Sequence, residues 1–294
     1  MKILSKLLNN CRKPDRQIGM ELGISGGAVG SRICKMEKLG VIEKFCLKVE
    51  PPLLGLNMFY IVVNTQNQKE IIKNVKLAGM PFTIVPCVGG ITAIGVVVKE
   101  DVQQKIQLLE KLMENVRVMS VFEADNTKII HNLTRTDLEI LNQLVKDPRK
   151  KIEQLSKDTE LSTKTINRGL EKLQNNESIQ FTLVFDPSKI EGFLCYAVVA
   201  ITQENIPKMM EKFEKEFSED YLMKPFLAKN QVVLFLYSDS IFKMDEMTEK
   251  IAKVQGTITT ELFIPKKIDM PEKWLQKRLE TLTKSQTLHI SQVN

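Results

Sequence analysis

The chain has 294 residues, 43% of them hydrophobic and 27% charged, which is enough apolar material for two or more folded domains. It contains no apolar run approaching the roughly 18 residues of a membrane span, and its first residues lack the small-residue cleavage pattern of a signal peptide. We therefore expect a cytoplasmic protein that does not contact membranes.

The cysteines and histidines argue against a metal site or an active site. The five cysteines show no C-x-x-C spacing, so neither a zinc site nor a disulfide framework is indicated. His131 and His289 stand apart from any group of catalytic partners. We expect no catalytic residues, no metal and no cofactor, and hence a protein that is not an enzyme.

The positive charge is concentrated at the start of the chain. The net charge of the whole protein is +6, and residues 1–56 alone hold ten basic and five acidic residues, a net charge of +5. A polyanion such as the phosphate backbone of double-stranded DNA is the partner that such a segment favours.

The sequence contains an internal repeat. A shift of 137 residues superposes the hydrophobic and turn positions of residues 3–36 on those of residues 140–173. With one residue deleted, the agreement continues, and Tyr60 meets Tyr196. Two copies of one structural unit are predicted.

Each copy begins with three short helices. Thr134 and Asp137 have the spacing of a capping box, and Ser25 and Ser162 are suitable N-caps for the third helix of each copy. Gly23 fits the turn between the second and third helices. The pattern indicates a helix-turn-helix, and residues 40–45 and 47–49 are predicted to form the two short strands of a wing.

Each copy then changes from a helical period to alternating strands and helices in the order βαββαβ, which is typical of a ferredoxin-like domain. The predicted elements of the first copy are 58–64, 67–78, 82–88, 91–98, 101–115 and 117–123. Those of the second copy are 194–201, 204–217, 222–228, 231–237, 241–253 and 257–264. One face of each sheet is left open by the helices and needs a partner if it is apolar.

The predicted fold class is therefore α+β, with two winged helix-turn-helix domains alternating with two ferredoxin-like (βαββαβ) domains. The predicted boundaries are 1–56 and 134–192 for the winged helices, 57–126 and 193–268 for the ferredoxin-like domains, 127–133 for a linker, and 269–294 for a C-terminal helix and tail. The helix carries the single tryptophan, Trp274, and residues after about 284 are expected to be disordered.

The stretch from Ile24 to Ile42, with Ser25, Val29 and the Arg32-Ile33 pair, resembles the Lrp/AsnC (feast/famine) transcriptional regulators. The resemblance implies a DNA-binding regulator whose units join a winged helix-turn-helix to a ferredoxin-like effector domain. A fused tandem would pair its effector domains within one chain, as a pseudo-dimer, and self-association is a further expectation. The second copy matches more loosely: residues 134–192 have no net charge, and Gly169 replaces Arg32.

Candidate DNA-contacting residues lie on and near the third helix of each copy, because such helices enter the major groove and flanking basic residues contact phosphates. They are Arg12, Lys13, Arg16, Ser25, Gly26, Gly27, Ser31, Arg32, Lys35 and Lys38 in the first copy, and Thr163, Lys164, Asn167 and Arg168 in the second. The glycines of the first copy suggest either a close approach of the backbone to DNA or a helix that orders on binding.

The resemblance also implies a small-molecule effector, such as an amino acid, at the loop between the second and third strands of the ferredoxin-like domain. In the first copy these residues are Val88, Gly89, Gly90 and Thr92. A tight hairpin turn explains the glycine pair equally well without a ligand.

Two alternatives stay open. Siroheme decarboxylases have a similar two-domain unit, but they use histidine and arginine around a tetrapyrrole, and neither ferredoxin-like segment here contains histidine. The uncharged second copy also fits a sensor or interaction protein whose helix-turn-helix modules have lost DNA binding.

Overall fold

The structure, a computed structural model, describes residues 2–99, 101–114, 116–123 and 133–291, with side chains up to residue 284. It contains two similar units, each with three helices, one strand and a βαββαβ segment. Most of the predicted linker 127–133, including His131, lies outside the described residues.

The elements of the first unit follow the predicted order closely. They are α1 (Lys2–Asn9), α2 (Asp15–Leu22), α3 (Gly26–Lys38), β1 (Ile42–Val49), β2 (Asn57–Asn64), α4 (Gln68–Ala78), β3 (Met80–Pro86), β4 (Ile91–Val98), α5 (Val102–Leu112) and β5 (Arg117–Glu123).

The second unit repeats this order and ends in a long helix. Its elements are α6 (Arg135–Leu144), α7 (Ile152–Thr159), α8 (Thr163–Gln174), β6 (Ile179–Phe185), β7 (Leu194–Thr202), α9 (Ile206–Phe217), β8 (Tyr221–Ala228), β9 (Gln231–Ser238), α10 (Ile241–Ala252), β10 (Thr257–Phe263) and α11 (Lys273–Ser291). The disorder expected after residue 284 is wrong as far as Ser291, because α11 continues to that residue; residues 292–294 lie outside the described part.

The predicted helix starts are confirmed. The Ser25 hydroxyl accepts a hydrogen bond from the Ala28 N–H at 3.1 Å, and the Ser162 hydroxyl accepts one from the Thr165 N–H at 3.1 Å. At α6 the Asp137 carboxylate accepts the Thr134 N–H at 2.8 Å, which completes the capping box. These side chains satisfy backbone donors that have no partner in the first turn of a helix.

The turn between the second and third helices has a left-handed residue in both units. Gly23 has a φ of 69° and Glu160 has a φ of 58°. A β-carbon costs about 1–2 kcal/mol in this conformation, so glycine suits the first turn and glutamate strains the second.

The wing differs from the prediction. Instead of two short strands within one copy, β1 is one strand that pairs antiparallel with β6 of the other unit, with Leu47 opposite Phe181. The two-strand wing was wrong because backbone hydrogen bonds to the equivalent strand of the second unit replace those of a local hairpin.

The winged helices also share their cores with the opposite unit. Ile18 and Val29 of the first lie in one cluster with Leu183 of β6, whereas Ile166 of the second lies in a cluster with Leu47 of β1. Each winged helix therefore completes its hydrophobic core with residues of the other unit, so the two units do not form separate domains in sequence order.

The two βαββαβ segments form antiparallel sheets with the strand orders β3-β4-β2-β5 and β8-β9-β7-β10. Helices α4 and α5 cover one face of the first sheet, and α9 and α10 cover one face of the second. The other faces are turned toward each other, as the contact between the rings of Tyr60 and Phe226 shows, with centroids 5.0 Å apart.

The sequence repeat aligns β2 with β7 one residue away from their structural alignment. Tyr60 lies on the face directed at the other sheet, but Tyr196 packs among the helices of its own domain. A shift of one residue moves a strand side chain to the opposite face, so the structural counterpart of Tyr60 is Ala197, which shares its face.

The C-terminal segment ties the two units together. Ile84 of β3 exchanges two backbone hydrogen bonds of 2.9 Å with Asp269, and Trp274, at the start of α11, packs on Phe82. Further along α11, Thr283 accepts a hydrogen bond from the Asn142 side chain of α6 at 2.9 Å. The predicted C-terminal helix is thus confirmed, and it docks on both units.

Substituting the two α2–α3 glycines that have open space around them should change stability in opposite directions. No atom lies within 4 Å of a β-carbon added at Gly23 or Gly27. We expect Gly23→Ala to lower the free energy of unfolding by about 1 kcal/mol through left-handed strain. We expect Gly27→Ala, inside α3, to raise it by about 0.5–1 kcal/mol. Urea unfolding followed by circular dichroism measures both, and a loss of stability in both variants would contradict the assignment of Gly27 to a regular helix.

Candidate functional site

The exposed face of α3 carries most of the candidate residues of the first unit. Val29 and Ile33 are buried, and the opposite surface is open to solvent. The exposed candidates there are Ser25, Gly27, Ser31, Arg32, Lys35 and Lys38, with Arg16 exposed on the neighbouring α2. The structure thus brings these candidates together on one surface.

The glycines of α3 have different roles. A β-carbon at Gly26 would lie 3.0 Å from the Arg16 Cα, so Gly26 permits the close approach of α2 and α3. A β-carbon added at Gly30 would lie 3.0 Å from the Asp15 carboxylate, whereas one added at Gly27 would meet open space. The packing of α2 on α3 therefore accounts for Gly26 without a nucleic acid.

Arg12 is partly buried and contacts the other unit. Its guanidinium donates hydrogen bonds to the carbonyl oxygens of Pro148 and Lys150, at 2.6 and 3.0 Å, and lies 5.9 Å from the centre of the Phe181 ring. Lys13 is likewise engaged, in an ion pair with Glu21. Sequence reasoning missed these roles because the partners of Arg12 lie 136 or more positions away.

The equivalent arginine of the second unit mirrors this contact. Arg149 lies 4.8 Å from the centre of the Phe45 ring and pairs with Asp15 at 3.2 Å. Each arginine thus stacks on a β1–β6 phenylalanine contributed by the opposite unit. This crossed pair fixes the two winged helices to each other through charge-assisted hydrogen bonds and cation–π contacts.

The exposed face of α8 carries the candidates of the second unit. Thr163, Lys164, Asn167 and Arg168 are all exposed, and the Asn167 amide donates to the Thr163 carbonyl at 3.0 Å. Gly169, which replaces Arg32, is buried against Ile140, where an added β-carbon would lie 2.5 Å from the Ile140 Cδ1. The replacement therefore follows from packing within the second unit.

The predicted effector loop forms a tight hairpin end. Gly89 and Gly90 both have positive φ angles, 78° and 82°, and the Gly90 carbonyl accepts a hydrogen bond from Thr65. Val88 is exposed, and Thr92 is buried with its hydroxyl accepting from Gln68 at 3.1 Å. An effector at this loop stays a prediction.

A cavity of about 360 Å³ lies between the facing sheets. Its walls are mainly apolar and come from both sheets, from β1 and β6, and from the segment that leads into α11; they include Tyr60, Phe82, Phe122, Met223, Phe226 and Trp274. No sequence signal located it, because its walls come from strands more than 100 positions apart. Within the described residues, no group of three or more histidine, cysteine, aspartate or glutamate side chains is arranged to hold a metal.

None of the helices in the described part of the chain has the length and apolar character needed to cross a bilayer.

Arg12→Ala should destabilise the fold, because it removes two hydrogen bonds from a cation and a ring contact between the units. We expect the free energy of unfolding to fall by about 2–3 kcal/mol. Arg16→Ala is the matched control, since Arg16 is exposed, and it should change stability by less than about 0.5 kcal/mol. Equal effects of the two substitutions in urea unfolding would refute the role assigned to Arg12.

Thiol labelling should single out α3. Burial raises the pKa of Cys11 and Cys195 to about 12 and that of Cys87 to about 11, and it also raises the pKa of Cys46. These thiols stay protonated at pH 8, whereas Cys34, on α3, is exposed. We expect Ellman's reagent to modify one thiol per native chain at pH 8 and five after denaturation, and Cys34→Ser to abolish the native reaction.

Comparisons with known proteins agree with this architecture. Residues 133–180 match a family of winged helix-turn-helix DNA-binding domains. This segment is the second winged helix, the copy whose resemblance in sequence was the looser one.

Two curated relatives are transcriptional regulators. The chain is 40% identical over 62 residues to the HTH-type transcriptional regulator Ptr1 of Methanocaldococcus jannaschii, covering 21% of this chain and 42% of that protein. It is 35% identical over 68 residues to the HTH-type transcriptional regulator LrpA of Pyrococcus horikoshii, covering 23% and 48%. The chain thus spans less than half the length of these relatives.

One solved structure matches along its whole length. The siroheme decarboxylase NirDL covers 99% of this chain and 98% of its own, with a TM-score of 0.51 and 12% sequence identity. At this identity the likeness shows the shared two-unit α+β fold alone. The winged-helix match and the two curated relatives show, within the matched segments, a likeness to HTH-type transcriptional regulators.

Proposed function

We propose that this protein binds double-stranded DNA and regulates transcription, with α3 and α8 as the two recognition helices of one chain. The observation that carries the proposal is that both helices bury their apolar sides in the shared cores and leave a polar side exposed. The β1–β6 pairing and the crossed arginines hold the two domains in a fixed arrangement. A pseudo-dimer of this kind suits two half-sites on one duplex.

In the first unit, the surface formed by Arg16, Arg32, Lys35 and Lys38 supplies the positive charge. All four side chains are exposed, so they can contact DNA phosphates without leaving the protein core. Each such contact releases counterions from the DNA, which favours binding. Arg12 and Lys13 are left out of this surface because they are engaged within the protein.

The first unit has few side chains suited to reading bases. The N-terminal part of α3 presents Gly27 and Ser31, which are short, and the Ser25 hydroxyl is used as the helix cap. Long side chains that make bidentate contacts with bases are needed for strong discrimination. We therefore propose that the first unit contributes mainly affinity.

The second unit has less positive charge but more side chains suited to reading bases. Its winged helix carries no net charge, but α8 presents Thr163, Lys164, Asn167 and Arg168. Asparagine and arginine are the side chains that make bidentate contacts with adenine and guanine. Residues 133–180 also match the DNA-binding family directly, so we propose that α8 contributes sequence preference.

The double variant Arg32→Ala/Lys35→Ala tests this function. We expect its affinity for a 40-base-pair duplex to fall about tenfold or more, and the slope of log K against log salt to decrease by up to about 2. Fluorescence anisotropy over a range of salt concentrations measures both quantities. Lys250→Ala/Lys253→Ala is the matched control, since it removes an exposed lysine of α10 and the exposed lysine that follows that helix, and it should bind as the wild type does.

Protection of Cys34 provides a second, independent readout. Because Cys34 lies on α3 beside Lys35, bound duplex should slow its reaction with Ellman's reagent in the wild type. Unchanged affinity of the Arg32/Lys35 variant together with unchanged Cys34 reactivity would refute the proposed interface. No duplex affinity of the wild type at low salt would instead support a protein-interaction role for the winged helices.

A siroheme decarboxylase is the second candidate, favoured by the fold shared with NirDL. Siroheme carries many carboxylates, and a buried site for it needs compensating positive charge. The charged residues lining the inter-sheet cavity are two lysines, Lys48 and Lys224, and two glutamates, Glu261 and Glu272. A change in the absorption spectrum of siroheme on adding the protein would favour this activity over the regulatory one.

A further inference from the structure

Two described residues that line the cavity between the sheets, Tyr60 and Glu272, have a buried side-chain oxygen without a hydrogen-bond partner, and the Glu272 oxygen lies 3.2 Å from the Lys44 ammonium. Tyr60 lines the cavity and is 5% exposed, and its hydroxyl is buried with no hydrogen-bond partner. Leaving such a hydroxyl unsatisfied costs roughly 1–3 kcal/mol. An unpaired phenol beside an unfilled apolar space indicates a place where a ligand atom can complete the hydrogen bond.

The surroundings of Tyr60 define the shape of this place. The centres of the Phe82, Phe122 and Phe226 rings lie 5.7, 5.3 and 5.0 Å from that of Tyr60. Burial and the nearby Glu50 carboxylate hold the pKa of Tyr60 well above its usual value. The hydroxyl therefore keeps its proton and can act as a donor to an acceptor atom set among aromatic rings.

The four charged residues that line the cavity, two lysines and two glutamates, have no net charge. Lys48, which lies over the Phe226 ring, pairs with Glu50 at 2.7 Å, and Glu272 pairs with Lys44 at 3.2 Å. Lys224 and Glu261 also line the cavity but are exposed. At the buried Tyr60 end, an ionised ligand would lose its hydration without gaining an unpaired counter-charge. An uncharged ligand meets no such penalty.

The two halves of the cavity are not equivalent. Ala197 occupies the position in the second sheet that Tyr60 occupies in the first, and it has no polar side chain to offer. The cavity volume, about 360 Å³, falls in the range of small-molecule sites, roughly 300–1,000 Å³. One small ligand per chain, oriented by the first sheet, fits these observations.

We propose that this cavity binds one uncharged, largely aromatic or aliphatic molecule that carries a carbonyl oxygen, with the Tyr60 hydroxyl donating to that oxygen. The site is distinct from the hairpin of Val88 to Thr92, and it does not depend on DNA binding. Its walls include Trp274, at the start of the helix that packs on α6 of the second winged helix.

The experiment compares three probes of similar size: 2-acetylnaphthalene, which has a carbonyl, 2-ethylnaphthalene, which has no acceptor, and 2-naphthoate, which is charged. Binding to the full chain without DNA is followed by quenching of Trp274, the single tryptophan, and by titration calorimetry. We expect the ketone to bind the wild type at one site per chain and more tightly than the other two probes.

Tyr60→Phe removes the hydroxyl and keeps the ring. We expect it to weaken ketone binding about five- to tenfold, the effect of one hydrogen bond, and to leave 2-ethylnaphthalene binding within twofold. Tyr196→Phe is the matched control, because that buried tyrosine lies on the helix side of the second sheet, and it should bind the ketone as the wild type does. Ala93→Phe, which places a ring in the cavity, should abolish binding of both probes.

Three results would overturn the proposal. They are no quenching or heat with the ketone at millimolar concentration, equal ketone affinity in wild type and Tyr60→Phe, or tighter binding of 2-naphthoate than of the ketone. Thermal unfolding of each variant confirms that it is folded before titration. Because no duplex is present, these outcomes are independent of the test of DNA binding.

Discussion

The arrangement of this protein depends on the apolar face that each four-stranded sheet leaves uncovered. The helices of a βαββαβ domain pack on one side only, and the other side here carries Tyr60 and Phe82 in one sheet and Phe226 and Phe235 in the other. Leaving such faces in water is unfavourable at roughly 25 cal/mol for each Å². The second copy in the same chain provides the cover, so the pairing needs no second molecule. The pairing of β1 with β6 follows, since the strands that lead into the sheets are brought side by side.

The same pairing decides which basic residues remain available. From the sequence alone, Arg12 and Arg149 cannot be distinguished from Arg16 and Arg32, because all four lie in or near a helix-turn-helix. The first two stack on phenylalanines of the opposite unit and stabilise the contact between the units, whereas Arg16 and Arg32 stay in solvent. Positive charge in the sequence therefore does not by itself show which basic residues remain in solvent, because the contacts between the units engage some of them.

The two copies have diverged in ways that packing explains. Glu160 takes the left-handed turn that Gly23 takes in the first unit, and Gly169 is buried where Arg32 is exposed. Tyr60 faces the cavity, while its structural counterpart is Ala197. The duplication thus gives two winged helices of different charge and an inter-sheet cavity whose two walls differ.

The sequence by itself determined the order of the elements, the helix caps and the repeat, because periodicity, capping and turns are local properties. The predicted strands of both sheets agree with the structure to within about two residues at most ends. Only the tertiary structure decided that the wing strands pair between units, that Tyr60 matches Ala197, and that Arg12 binds carbonyl oxygens of the second winged helix. It also created the inter-sheet cavity. These features join residues more than 100 positions apart, and no local pattern encodes which distant surface a side chain meets.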